Sequence, residues 1–417
     1  MRAGAFLVAG LLALGAPVLG ESAWAQTPYV TLAPPSPGHS ACPGGLCDVP
    51  ALTGLFEALA AVEAGERTRP VHILQLGDSH TAGDRITGAV RAALQARFGR
   101  GGPGVLPPGP PYASYRPLQV EMTAEGWPVE IAPLSASGGA RGFGLAGARV
   151  VAAPGRSLTL RLEGAAQPRV MGLCADVGPG VGAVSVRTSE GARIADFAAP
   201  EPGVACRELV LSQPIAEVTL TGEGGATTLH DIRLTGVSGG VAVSSLGTVG
   251  ATLNDLAQRD QALVALELAA WRPDLIVLAF GTNDGFDAQL TAQGYETLLR
   301  GQIARLRALS PGAALMILGA PDALKFGLTG CGLGRGAPAG LAMVRDVQRR
   351  VAADTGVAFW DWHGRMGGDC AAERLATLSE PMMRPDRVHF TATGADWIGG
   401  MLADDLMAAF DAWKGTR

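Results

Sequence analysis

The chain has 417 residues, 47% hydrophobic and 17% charged, with a formal net charge of −5. That length carries two or three domains with sizeable cores, and the mild acidity excludes a nucleic-acid platform, which needs clustered cations. The 59 glycines and 28 prolines imply many turns, but they fall short of low-complexity disorder and follow no Gly-X-Y period.

At the N-terminus, Met1-Arg2 precedes an apolar run over residues 3–20 and the small-x-small site Ala23-Trp24-Ala25. These are the three parts of a secretory signal peptide, cleaved after Ala25. No later stretch reaches the roughly 18 apolar residues of a membrane span. The expected product is exported, with no membrane span after signal cleavage. Residues 26–64 then form a Pro/Gly-rich lead-in. Export makes the six cysteines readable as structural bridges. Each couple lies within one segment of the chain, which favours Cys42 with Cys47, Cys174 with Cys206 and Cys331 with Cys370. There is no CxxC and little histidine, so zinc is not expected.

From Val71 the pattern changes. Val71-His72-Ile73-Leu74-Gln75-Leu76 reads as a strand, and Ile86, Val90, Leu94 and Phe98 then recur every four residues, as on one helix face. Residues 117–238 break that rhythm. Period-two runs at 157–162, 183–187, 216–220 and 228–234 alternate with Gly-rich turns, which predicts an inserted all-β sandwich. Beyond it, 241–246 reads as a strand and 275–280, 314–318 and 357–360 are short apolar runs of buried parallel strands. Helical stretches at about 253–271, 288–308, 338–355 and 391–413 separate them. The fold class is therefore α/β, a doubly wound, flavodoxin-like parallel sheet over 65–116 and 239–417, with the sandwich at 117–238.

In such sheets ligands bind beyond the carboxyl ends of the strands, and four features sit at those ends. They are Gly77-Asp78-Ser79-His80, the 247–252 stretch with Gly247 and Gly250, Gly281-Thr282-Asn283-Asp284, and Asp386-Arg387-Val388-His389. A hydroxyl becomes a nucleophile when a neutral imidazole takes its proton, and a carboxylate fixes the imidazole tautomer. Asp386 and His389, three apart, can face Ser79 from one turn. Backbone N–H groups of Ser79 and Gly250 and the Asn283 amide would serve a tetrahedral oxyanion. Asp78 and Asp284 are read as structural carboxylates bonding loop N–H groups. His80 stands between loop packing and cleft lining. His72 is read as a core histidine, His230 and His363 as chemically idle, and at least one of Trp360 and Trp362 as core. No P-loop, GxGxxG unit, HExxH or EF-hand loop occurs, so neither cofactor nor metal is expected.

Those four blocks, in this order, resemble the SGNH (GDSL) hydrolase superfamily. The resemblance implies Ser79 as nucleophile, His389 as base, Asp386 as its partner, and Ser79, Gly250 and Asn283 as the oxyanion hole. Gly250 fits the family spacing better than Gly247. Residues 77–84 (GDSHTAGD), Arg100-Gly101-Gly102-Pro103-Gly104, Phe359-Trp360-Asp361-Trp362 with Met366-Gly367-Gly368, and Asp386-Arg387-Val388-His389-Phe390-Thr391 look like the peptidoglycan O-acetylesterase and O-acetyltransferase branch. Members of that branch carry a carbohydrate-binding-module-like sandwich where this insert lies. The insert departs from a sugar platform in its few aromatics, chiefly Trp127, Phe143 and Phe197.

The resemblance implies a periplasmic esterase acting on O-acetylated peptidoglycan or a related polysaccharide. The alternatives are an O-acetyltransferase using the same triad, a deacetylase of another polysaccharide, and a non-catalytic glycan-binding protein. Protein partners and oligomeric state are not legible in the sequence.

Overall fold

The computed structural model describes residues 42–417 apart from 114, 135–138 and 165–167. The expected signal peptide and residues 26–41 of the lead-in lie outside the described residues. Six strands form a mixed sheet: β1 (Leu46–Cys47), β2 (Val71–Gly77), β3 (Val241–Gly247), β4 (Leu275–Ala279), β5 (Ala314–Leu318) and β6 (Ala358–Trp360). Their spatial order is β1-β6-β5-β4-β2-β3. β2 to β6 run parallel, and β1 pairs antiparallel at the edge, with Leu46 opposite Trp360. The five parallel strands, counted along the chain, thus read 2-1-3-4-5. Crossover direction reverses between β2 and β4, which opens a crevice at their carboxyl ends.

β2 and β4 are buried at every residue, because helices cover both faces of a parallel sheet. Six helices do most of this work: α1 (Thr53–Glu63), α2 (Arg85–Phe98), α3 (Gln261–Trp271), α4 (Ala292–Leu309), α5 (Ala339–Thr355) and α6 (Ala392–Gly415). Leu268, Ile303 and Val347 from α3, α4 and α5 join Leu76, Leu278 and Ile317 of the strands in one core. α2 packs against α6, where a side chain at Gly399 would meet the Ile86 carbonyl at 2.5 Å. Part of the segment read as a lead-in is built into this fold. Leu46 and Cys42 are buried, and α1 follows with Leu55, Phe56 and Leu59 inside.

Residues 104–235 form two antiparallel sheets. One runs Gly191–Asp196, Ala183–Thr188, Glu217–Glu223, Ser157–Leu162, Val120–Glu125. The other runs Gly203–Val210, Val170–Val177, Thr227–Thr235, Ala148–Ala152, Val129–Ile131. Gly104–Leu106 also pairs with Thr227–Thr235, ahead of the sequence boundary drawn at 117. Both sheets feed one buried cluster, with Leu158, Leu160 and Leu220 from the first and Val150, Leu173 and Ile232 from the second. Trp127, Phe143 and Phe197 are all buried, so they offer no exposed ring for stacking. The three disulfides are Cys42–Cys47, Cys174–Cys206 and Cys331–Cys370, the pairs expected from the sequence. No helix among the described residues is long and apolar enough to cross a membrane.

Candidate active site

β2 ends in Gly77, and the chain turns at once into a short helical turn, Ser79–Ala82. A Cβ on Gly77 would lie 2.7 Å from the Ala279 carbonyl oxygen, so only glycine lets β2 and β4 meet there. The Asp78 carboxylate caps the turn by accepting the His80 backbone N–H at 2.9 Å. Ser79 is left half-buried, with Oγ 2.9 Å from His389 Nε2.

His389 arrives on the loop ahead of α6. Asp386 organises that loop: Oδ1 accepts the backbone N–H groups of Val388 and His389 at 2.9 and 3.0 Å. Its other oxygen lies 2.9 Å from His389 Nδ1. A carboxylate accepts only, so the ring proton sits on Nδ1 and the Nε2 lone pair faces the serine hydroxyl. Burial works against the Asp386 charge, but the hydrogen bonds from His389 and Val388 outweigh it and hold the carboxyl below its ordinary range. Arg387 takes a left-handed conformation, φ 58°, and its guanidinium grips Glu373 with two 3.0 Å bonds. That fork pins the loop between Asp386 and Val388.

The remaining blocks close the crevice. Gly247 packs against the Ala82 backbone with no room for a side chain, which makes it a packing residue. Gly250 is exposed and has φ 81°, the third position of a turn closed by Ala251 N–H on the Thr248 carbonyl. Asn283 Nδ2 donates to the Ala251 carbonyl at 2.9 Å, fixing the end of β4 to that turn. A primary amide has a second N–H to offer. Asp284 accepts the Leu253 N–H at 3.1 Å, and burial pushes its carboxyl up to about 7. Both Asp78 and Asp284 therefore bond loop backbone, as the sequence reading has them.

The other histidines sort by burial. His72 is buried, with Nε2 2.7 Å from Ser244 Oγ, and desolvation lowers its pKa to about 4. His230 contacts Asp176 at 2.7 Å and His363 contacts Asp369 at 3.0 Å. Trp360 and Trp362 are both core. Sequence reasoning passed over the Arg387–Glu373 pin, and it left open His80, which packs among Trp362, Phe390 and His389. The Asp-x-His spacing within the first block was the available sign of a local carboxylate partner. No group of three or more His, Cys, Asp or Glu among the described residues is arranged to hold a metal ion.

The arrangement is a hydroxyl, an imidazole and a carboxylate in a hydrogen-bonded row at the carboxyl end of a parallel sheet. The GDSL-like Lipase/Acylhydrolase family matches residues 214–397, taking in Gly250, Asn283, Asp386 and His389. Ser79 lies outside that match. A solved structure of a peptidoglycan O-acetylesterase is 28% identical, with a TM-score of 0.76 over 88% of this chain and 99% of that one. These likenesses make the SGNH (GDSL-like) hydrolases the family that the chain resembles. The chain is a carboxylic ester hydrolase. More distant likenesses include two family two carbohydrate esterases. The one from Clostridium thermocellum with cellohexaose is 10% identical, with a TM-score of 0.32 over 67% of this chain and 98% of that one. The one from Cellvibrio japonicus is 13% identical, with a TM-score of 0.29 over 70% and 98%. No curated protein matches the chain.

Proposed function

We propose that this protein is an exported serine esterase that removes O-acetyl groups, muramoyl 6-O-acetyl among them, from peptidoglycan. The observation that carries the reading is the row Ser79 Oγ, His389 Nε2 and Nδ1, Asp386 Oδ2, with both hydrogen-bonded steps at 2.9 Å. The likeness to a peptidoglycan O-acetylesterase over 88% of the chain supports the substrate class. His389 takes the Ser79 proton as Oγ attacks the acetyl carbonyl. The Ser79 and Gly250 N–H groups and the Asn283 amide stabilise the oxyanion; one such donor is worth about 2.7–4 kcal/mol. His389 then protonates the departing sugar hydroxyl, leaving acetyl-Ser79. Water enters, His389 takes its proton, and acetate leaves as Ser79 regains its hydrogen.

We read residues 65–116 and 239–417 as the flavodoxin-like catalytic domain and 117–238 as an inserted β-sandwich that shapes the cleft. Three disulfides and the N-terminal pattern of 1–25 support export to the periplasm.

The test is acetate release from O-acetylated sacculi by the mature protein, with Ser79→Ala as control and a muroglycan acceptor in a parallel reaction. Ser79-dependent acetate is the expected result. Acetylated acceptor with little free acetate would make the enzyme a transferase. Silence in both reactions, with Ser79 still labelled by a fluorophosphonate, would discard the substrate and keep the mechanism.

A further inference from the structure

His80 sits beside the nucleophile, yet its side chain is 3% exposed and plays no part in the proton path above. Its ring nitrogens face two oxygens. Nδ1 is 3.1 Å from Asp78 Oδ1, and Nε2 is 2.9 Å from the carbonyl oxygen of Val388. A neutral imidazole has one N–H and one lone pair. Here a neutral ring beside an ionised Asp78 would aim that lone pair at an acceptor oxygen, at hydrogen-bond distance and out of water, an arrangement that costs free energy. One more proton resolves it, lying on the ring or shared between Nδ1 and Oδ1.

We propose that His80 is a positioning residue that clamps the Ser79 turn to the His389 loop, and that the Asp78–His80 pair keeps this second proton at neutral pH. The inference rests on the reading of Ser79 and His389 as nucleophile and base. Val388 immediately precedes His389, so the bond from Nε2–H to its carbonyl fixes the peptide plane from which the base projects. The base ring stands 5.5 Å from the His80 ring, which is walled by Trp362 at 5.4 Å and Phe390 at 6.0 Å. Without the clamp, the 2.9 Å approach of His389 to Ser79 depends on a loop whose Asp386 and His389 side chains are 46% and 38% exposed. The clamp adds a hold from the buried side to that of the Arg387–Glu373 fork on the same loop.

The charged groups around the ring fit a retained proton. Burial works against a charged His80, while the Asp78 carboxylate, the Val388 carbonyl and the more distant Asp386 carboxylate favour it and raise its pKa above the ordinary value. Among the described residues in ring contact with His80, His389 is the further titratable one. Trp362 and Phe390 bring no charge. As pH rises through the raised value the pair loses its proton, a lone pair meets an oxygen, and the clamp opens. Turnover should therefore fall on the alkaline side.

The test uses the mature chain, 4-nitrophenyl acetate and a fluorophosphonate probe of Ser79. His80→Ala should lower kcat and the rate of Ser79 labelling together, by about 10–100-fold, the scale of misplacing a catalytic group by an ångström, while KM barely moves. His80→Gln, whose amide N–H can reach the Val388 carbonyl, should recover most of that loss and lose the alkaline limb of the pH profile. In protein labelled with 15N-histidine, both ring nitrogens of His80 should be protonated, or Nδ1 should share its proton, at about pH 7.5. A His80→Ala enzyme with wild-type kcat and labelling would overturn the proposal. So would a His80→Gln enzyme that keeps the alkaline limb, or a His80 ring with one free lone pair at working pH. Failure of wild-type Ser79 to label would sink the esterase mechanism instead, and the ring protonation would still decide the clamp.

Discussion

In the parallel sheet, β2 and β4 are buried from end to end, and their carboxyl ends carry Ser79 and Asn283. In the antiparallel sheets, Ser157–Leu162 and Glu217–Glu223 alternate between the shared core and solvent. Their facing charges, Arg161 with Glu217 and Glu121, are exposed ion pairs worth little. Beside the parallel sheet one polar pair goes fully inside instead. Arg91 and Asp84 are 2% and 3% exposed and joined by two bonds of 2.7 and 3.0 Å. The same Asp84 accepts the Leu118 N–H at 2.9 Å. Buried polar groups with complete partners hold loops in one geometry, and Asp84 follows closely on Ser79 in the chain. The antiparallel sheets keep the Arg161 ion pairs in solvent and their aromatics in a core, with Asp231 and His230 as buried exceptions. One region fixes atoms; the other supplies a surface.

The sharpest way to break this contrast is at the row of reacting groups. His389→Ala removes the proposed base and should lower kcat by about 10⁵–10⁶-fold. Asp386→Asn should cost less, roughly 10⁴-fold. The amide oxygen can still accept the Val388 and His389 N–H groups, so the loop keeps its shape. Its NH₂ meets ring Nδ1, however, and favours the wrong tautomer. Steady-state turnover of an acetyl ester checks both, and a reversed order would mean that the two roles are misassigned.

Ser79 and Asn283 were legible because each lies just past the end of an apolar strand, and Asp386 and His389 because their spacing sits just ahead of the final helix. The disulfide pairs were legible for a related reason: each closes within one structural segment. What escaped has physical causes as well. Val170–Val177 is buried over its first six residues and shows no alternation, whereas Gly203–Val210 has no buried residue and shows no apolar run. β1 has two residues and exists only because the Cys42–Cys47 loop lies beside β6. α1 was readable from Leu55, Phe56 and Leu59, but Pro50 on its approach and Gly54 in its first turn made it look like a continuing lead-in. The His80 clamp depends on a carbonyl 308 residues away, and no local pattern encodes that.

A smaller effect is expected at the seam between the two regions. Glu267 of α3 and Asp231 of Thr227–Thr235 are both fully buried. Glu267 accepts the Leu145 N–H at 2.7 Å. Burial first, and then the nearby Asp231 carboxylate, push the Glu267 carboxyl well above its ordinary range, against the pull of the Leu145 N–H and Arg259; Asp260 adds to the upward push. Asp231 is raised mainly by burial, against the pull of Arg233. A carboxyl raised on folding contributes stability below its unfolded pKa and loses it as pH climbs through the folded value. Wild-type Tm should therefore sag toward alkaline pH. Glu267→Gln keeps an oxygen for Leu145 and cannot ionise, so its Tm advantage should widen from about pH 5 to about pH 9. Parallel melting curves would contradict the buried proton.

The smallest effect on turnover is expected from the bridge furthest from the chemistry. Cys174 and Cys206 face each other across Val170–Val177 and Gly203–Val210, and Gly203–Val210 is the outer strand of its sheet. Replacing both by Ala frees a loop of 32 residues in the unfolded chain. The chain-entropy account puts that at about 3–4 kcal/mol of stability. The loss falls on a region with its own core, so an early denaturation phase should appear in the fluorescence of Trp127, the one tryptophan between 104 and 235. Turnover of a small acetyl ester should stay near wild type, because no residue of the Ser79, His389 and Asp386 row bonds to either strand. Turnover of intact sacculi is the sharper measurement. If it falls while the small ester is spared, the antiparallel surface meets the polymer; if both fall together, the two regions are one mechanical unit and the division between them is wrong.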